Sequence, residues 1–325
     1  MSSSRPLIVV TRTTPGVPSL PSFPQADIRV LGDGFPSREQ LLAGVRGADA
    51  ILSMYGDKID TEVLDAAGKE LKVVANHAVG FENIDLQACK ARGVMVTNTP
   101  GAVTEGTADM AWLLTLAVAR RLCEGDRFAR SGAWKKHGLL AMGEFLGLDL
   151  TGKTLLIVGA GRIGYATALR SKGWAMNVLY VARSRHIEFE LAPVAATRVE
   201  LDEGLAQADV VSLHTPLTAE TRHLIDARRL ALLKPTAILI NTARGPVVDE
   251  AALASVLRAK KIFGAGLDVF EREPEIHPDL LALDNVTMAP HIGSGEERFR
   301  KMMTEMACAN ADAVLSGKEP PNRVA

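Results

Sequence analysis

The run TLLIVGAGRIGYATALRSKGW, starting at Thr154, constrains the fold more than any other stretch of the chain. An apolar segment meets Gly159, Gly161 and Gly164, spaced as G-x-G-x-x-G, and passes into a helical pattern. A second apolar run, NVLYV, follows at the distance a strand–helix–strand unit requires. The spacing has a chemical reason. Gly159 permits the tight turn, Gly161 lets the backbone approach a pyrophosphate, and Gly164 lets the helix pack close to the strand. Unpaired amides at the helix N-terminus then face the anion.

The rest of the chain extends this pattern on both sides. In the first hundred residues LIVV, DIRVLG, ADAILSM, LKVVA and GVMVTN alternate with amphipathic stretches, one of them near 38 to 46, which predicts a parallel α/β unit. After the glycine turn, DVVSLHTP, TAILINTARG, FGAGLDVF and NVTMAPH predict a second one. Between the two, TEGTADMAWLLTLAVARRLCEGDRFARSGAW reads as a long helix with Thr104 near its N-cap, then a shorter one. Its broad apolar surface suits either a core position or a dimer contact. The last helical pattern runs from about Glu296 to Ser316.

Length and charge limit the partners. A chain of 325 residues is long enough for two domains, and 37 Lys+Arg against 38 Asp+Glu give a formal net charge of -1. No global field points to nucleic acid or a membrane surface, so small molecules are the expected partners. Cys89, Cys123 and Cys308 are scattered without metal-ligand spacing and read as reduced thiols, and the histidines likewise indicate no metal. The N-terminal apolar run is too short for a signal sequence, and no run approaches the ~18 residues of a membrane span. A soluble, cytoplasmic protein is expected.

The end of NVLYV carries the cofactor preference. A site for NAD places Asp or Glu about 20 residues after the first glycine, to accept from the adenosine ribose hydroxyls. From Tyr165 to Ile187 this chain has no acid, and Arg183, Ser184 and Arg185 stand there instead. Guanidinium forks and a hydroxyl suit a 2'-phosphate, which predicts NADP(H).

Three further residues suit hydride chemistry on a carboxylate substrate. Arg244, in NTARGPVVDE, follows the apolar run TAILIN, at the strand end where open α/β sheets bind ligands. Glu273 precedes Pro274, and His291 follows NVTMAP. A guanidinium binds a carboxylate through two hydrogen bonds, histidine exchanges a proton near neutrality, and a carboxylate beside it orients the ring. Each also has a plain structural alternative as a core or loop residue.

Seven ordered motifs carry a resemblance: VANHAVGFENID, TNTPGAVTEGTADMAW, VGAGRIG, LHTPLTAETRHLI, INTARGPVVDE, AGLDVFEREP and APHIGS. The chain resembles the D-isomer-specific 2-hydroxyacid dehydrogenases over almost its whole length, and among them the glyoxylate/hydroxypyruvate reductases. The resemblance implies an α/β fold of two Rossmann-like domains with parallel sheets. A discontinuous flavodoxin-like substrate domain would comprise 1–100 and 292–325, and an NADP-binding Rossmann domain with the dimerisation helix 101–291. It implies a homodimer. It also implies NADPH-dependent reduction of a small 2-keto acid, with Arg244 binding its carboxylate and His291 protonating the keto oxygen. Glu273 would hold His291 in its protonated form.

By the same resemblance, the amides of Val79 and Gly80 take the other side of the carboxylate, and Asp268 holds the nicotinamide carboxamide. Thr107, Thr215, Pro216, Thr242 and Ala243 line the cofactor cleft, and Arg162 and Ile163 lie on the pyrophosphate turn. Glu271 stays outside the mechanism. Glu144 stands where those reductases often carry an aromatic residue. Two alternatives stay open: a reductase for 2-ketogluconate, and a non-catalytic nucleotide-sensing corepressor.

Overall fold

The computed structural model describes residues 5–16 and 18–325. They form two compact units, the described part of Met1–Val103 with Gly295–Ala325, and Thr104–Ser294.

The first unit holds a five-stranded sheet of β1 (Leu7–Val10), β2 (Asp27–Val30), β3 (Ala50–Met54), β4 (Val73–His77) and β5 (Met95–Thr97). Its order is β2-β1-β3-β4-β5 and every pair is parallel. That is the flavodoxin-like order. Strands β3 and β4 are buried at every residue, as expected of central strands covered on both faces. The chain end returns to the sheet edge, where Val96 N–H donates to the Ala325 carbonyl and Val324 N–H to the Val96 carbonyl. The helix Glu297–Leu315 buries Ala307, Cys308, Ala311 and Val314 in the cluster that includes Ile8, Val10 and Leu52.

The second unit holds a seven-stranded sheet of β6 (Thr154–Val158), β7 (Asn177–Val181), β8 (Thr197–Arg198), β9 (Val210–Leu213), β10 (Ile238–Asn241), β11 (Gly264–Leu267) and β12 (Val286–Met288). Its order is β12-β11-β10-β9-β6-β7-β8, again parallel throughout. The order reverses direction between β6 and β9, and open α/β sheets bind ligands outside the strand ends at such a point.

The helix Thr104–Ala119 belongs to this second unit and buries Ala108, Ala111, Trp112, Leu114 and Val118. Glycines in β11 admit it: a Cβ on Gly264 would meet Val118 and one on Gly266 would meet Leu114. Trp112 stacks on Trp174 at 4.5 Å between ring centroids and donates from Nε1 to the Thr167 carbonyl. Core packing therefore accounts for most of the apolar stripe, while Leu113 stays exposed. Two short helices follow, Leu122–Arg130 and Ala133–His137, neither with a buried residue. Beyond them Leu139 and Met142 are 93% and 96% exposed. No helix among the described residues is long and apolar enough to cross a membrane.

Candidate active site

The glycine turn at the end of β6 is built by close approach. Gly159 has φ +106°, and a Cβ there would lie 2.7 Å from the carbonyl carbon of His214, just past β9. A Cβ on Gly164 would press into the Gly159 carbonyl oxygen. Gly161 differs: it caps the helix Arg162–Arg170 without a side-chain bond, and nothing lies within 4 Å of where its Cβ would be. The first helical bond is Tyr165 N–H to the Gly161 carbonyl, at 2.9 Å. The amides of Arg162, Ile163 and Gly164 thus precede the ladder. The hydroxyls of Thr215 and Thr242, past the ends of β9 and β10, are buried without a hydrogen-bond partner among the described residues. An open glycine cradle, leading amides and two orphaned hydroxyls at the switch point fit a dinucleotide cofactor. Pro216 packs into the adjoining turn by accepting from the Thr221 hydroxyl, and Ala243 N–H donates to Asn241 Oδ1.

The loop after β7 departs from the expected arrangement. Arg185 Nε donates to Glu190 Oε2 at 2.6 Å, and the other oxygen of Glu190 accepts from the buried Tyr180 hydroxyl at 2.7 Å. Those bonds hold the Glu190 carboxyl below the usual carboxylate range, the Arg185 bond contributing most. An acid thus reaches the arginine cluster from the one-turn helix Ile187–Glu190, just beyond the acid-free window. A third guanidinium also arrives. Arg198, on β8, donates to the Ala182 carbonyl at 2.9 Å. Neither β8 nor that short helix was expected, since two and four residues carry no readable periodicity. Arg183 and Ser184 remain at the loop tip; Glu220 is held low chiefly by its hydrogen bond with the Thr218 side chain, and the charge of Arg183 adds to that.

On the other side of the switch point, Arg244, Glu273 and His291 are assembled by their turns. Gly245 seats the turn that carries Arg244 directly on the Phe270–Glu271 backbone, where any Cβ would collide. Asn241 Nδ2 donates to the Arg244 carbonyl at 2.9 Å. Phe270 N–H donates to Glu273 Oε1 at 3.0 Å, and Glu273 Oε2 lies 2.7 Å from His291 Nδ1. Burial tends to raise the Glu273 carboxyl, but the bond to His291 and its charge, the Phe270 amide and the Arg244 charge outweigh that and hold it low. An imidazole oriented this way through Nδ1 is suited to proton transfer.

Glu250, which the sequence did not single out, supports this assembly together with Glu271, and Asp268 supports it separately. Glu250, buried at the start of the helix Glu250–Arg258, accepts from Glu271 N–H, while Glu271 accepts from Glu250 N–H and lies 3.2 Å from His223 Nε2. Glu271 thus clamps the loop that carries Glu273. Asp268 accepts from Ile292 and Gly293 N–H through its two carboxylate oxygens. Thr107 flanks the same turn, 3.6 Å from where a Gly293 Cβ would sit.

In the first unit, Val79 and Gly80 follow β4 in a half-exposed loop, and no acceptor for their N–H groups is found among the described residues. Glu144, back in the second unit, pairs with His137 at 2.8 Å.

A family model described as D-isomer specific 2-hydroxyacid dehydrogenase, NAD binding domain, matches residues 112–293. The chain is 49% identical over 331 residues to a glyoxylate reductase of Thermococcus onnurineus, covering 98% of this chain and 96% of that protein. Among solved structures it is similar to a protein of Thermus thermophilus, with TM-score 0.89 and 44% identity over 98% of this chain and 100% of that one. It is also similar to the NADPH-dependent glyoxylate/hydroxypyruvate reductase of Sinorhizobium meliloti, solved with NADP and malonate, with TM-score 0.84 and 32% identity over 99% and 97% of the two chains. Matched at this identity over nearly all of its length, the chain belongs to the D-isomer specific 2-hydroxyacid dehydrogenases, close to the glyoxylate reductases.

Proposed function

We propose that the protein reduces glyoxylate or hydroxypyruvate to the 2-hydroxy acid with NADPH. The observation that carries the chemistry is the 2.7 Å pairing of Glu273 with His291, at the end of the sheet that also carries Arg244 and the glycine turn. The names of the relatives support the substrate class.

In this reading Arg244 and the amides of Val79 and Gly80 hold the substrate carboxylate. The bound reduced nicotinamide supplies a hydride to the keto carbon. Arg244 polarises the keto oxygen, and His291 delivers the proton to it from Nε2 while Nδ1 stays on ionised Glu273. Asp268 and Thr107 orient the carboxamide end. Arg183 and Ser184 take the 2'-phosphate, with Arg185 contributing from its pair with Glu190. The unit of the chain ends is the substrate domain and Thr104–Ser294 the cofactor domain. Trp134, Leu139, Leu140, Met142 and Leu146 are all exposed within residues 134–146, and this concentration of bare apolar side chains supports a homodimer.

A panel of 2-keto acids assayed with NADPH and NADH tests the reading. The expected result is turnover of glyoxylate or hydroxypyruvate with higher kcat/KM for NADPH. Equal or better efficiency with NADH overturns the cofactor assignment. NADPH binding without reduction of any short keto acid overturns the enzymatic one and favours a nucleotide-sensing role.

A further inference from the structure

Three successive carbonyls past β4 are each held by a donor. Thr99 N–H donates to the Ala78 carbonyl at 2.9 Å, Asn98 Nδ2 to the Val79 carbonyl at 2.8 Å, and Asn76 Nδ2 to the Gly80 carbonyl at 2.8 Å. The first of these bonds is main chain. Beyond it the loop leaves the sheet, and two asparagine side chains continue the row of donors where no backbone amide does. In a trans peptide the N–H points opposite the carbonyl of the same unit. Holding those three carbonyls therefore fixes the N–H groups of Val79, Gly80 and Phe81 on the side away from the donors. None of the three finds an acceptor among the described residues.

The donors are themselves held. Asn76 is fully buried and accepts from Ser53 Oγ at 3.0 Å, which leaves its NH2 to face Gly80. Asn83, beside it, is tied to the carbonyls of Met54 and Asp57. The backbone of Asn98 is held by the chain end: its N–H donates to the Asn322 carbonyl and its carbonyl accepts from Nδ2 of buried Asn310. Asn310 in turn accepts from Asn322 N–H. An amide row kept in place by side chains needs no reorganisation when an anion arrives, which is where preorganised donors gain most of their effect.

We propose that Asn76 and Asn98 are positioning residues for the substrate carboxylate, and that Phe81 N–H is a third donor beside those of Val79 and Gly80. The proposal rests on the reading of this loop as the carboxylate site. Without the Asn98 or Asn76 amide, the Val79–Gly80 or Gly80–Phe81 peptide is free to rotate, and the donor row exists only part of the time.

Steady-state kinetics of Asn98→Ala and Asn76→Ala test this, alongside melting temperature and NADPH affinity. The expected result is a rise of about tenfold or more in KM for glyoxylate and in Ki for oxamate, an unreactive keto-acid analogue, with kcat within about threefold of wild type. NADPH affinity stays at the wild-type value. In protein labelled with 15N-glycine, the Gly80 amide resonance moves on adding oxamate to wild type and stays put in Asn98→Ala. A folded variant with wild-type KM and Ki overturns the proposal, as does a fall in kcat with KM and Ki unchanged. Should buried Asn76→Ala fail to fold, half-buried Asn98 decides the matter alone. If the wild type reduces no keto acid, the functional reading fails by itself, and oxamate binding with the Gly80 resonance still tests the asparagines.

Discussion

Asp268 builds the turn that presents His291. Its main-chain carbonyl accepts the His291 N–H at 2.8 Å, and its two carboxylate oxygens accept from Ile292 and Gly293 N–H at 2.8 and 2.7 Å. His291 sits at φ 54°, a left-handed conformation that costs a residue with a Cβ about 1–2 kcal/mol. The clasp from Asp268 offsets that cost. Burial pushes the Asp268 carboxyl up, while the two amide bonds pull it back toward the charged form that can accept from both.

Asp268→Asn should therefore damage turnover through geometry. Its amide can accept from only one of the two N–H groups and turns an NH2 toward the other. The expected loss in kcat is about 10- to 100-fold, because a displacement of the His291 ring near 1 Å is enough for that. Single-turnover rates at saturating keto acid and NADPH measure it, and a wild-type rate would remove Asp268 from this role.

Glu273→Gln should separate charge from hydrogen bonding at His291. The glutamine can still accept from Nδ1, but it carries no charge to face the imidazolium. Reductive kcat/KM is expected to fall about 10- to 100-fold. Stability follows the same pair. The folded carboxyl lies below its unfolded value, about 4.3, so its contribution is present above that pH and lost as pH falls through the folded value. The melting-temperature gap between wild type and variant should then close below about pH 4. A gap independent of pH counts against the ion pair.

Much of this was legible in the sequence, for identifiable reasons. The glycine spacing, the alternating apolar runs and the boundaries of the last helix are local signals, and the helix Glu297–Leu315 starts and stops within a residue of its reading. Short elements were not legible. β8 and the helix Ile187–Glu190 are too brief to show a period, and with them went Glu190 and Arg198, which share the arginine loop. The clasp from Asp268 and the Glu250–Glu271 pair were hidden for another reason. Each joins residues 21 or more positions apart through a backbone amide, and a backbone amide leaves no mark in a sequence.

The last two glycines of the turn should fail in different ways when given a methyl group. Gly164→Ala presses into the Gly159 carbonyl oxygen, which is backbone and cannot yield cheaply, so the fold should lose about 1–3 kcal/mol. Gly161→Ala meets nothing within 4 Å, so its melting temperature should match wild type while the KM for NADPH rises, because the methyl group occupies the approach to the pyrophosphate. Thermal melts and cofactor titrations of both variants check this. A stable Gly161→Ala that binds NADPH normally would argue against the pyrophosphate position.

The arginines after β7 should contribute unequally to cofactor choice. Arg185 is engaged by Glu190, and that carboxylate is anchored in turn by Tyr180. Its Nε edge is occupied, and a negative charge stands beside whatever anion its remaining N–H groups meet. Among the described residues no carboxylate is bonded to the Arg183 guanidinium, only the charge of Glu220 acting on it, and Arg183 is expected to dominate phosphate recognition. Arg183→Ala should lower the NADPH-over-NADH ratio of kcat/KM by more than tenfold, the scale of one charged hydrogen bond of about 1.5–3 kcal/mol, and Arg185→Ala by only a few-fold. Glu190→Gln supplies the converse. It keeps the Tyr180 bond, removes the competing charge and should raise the preference for NADPH. If Glu190→Gln lowers that preference instead, the carboxylate serves to aim Arg185 at the phosphate, and Arg185→Ala should then cost as much as Arg183→Ala.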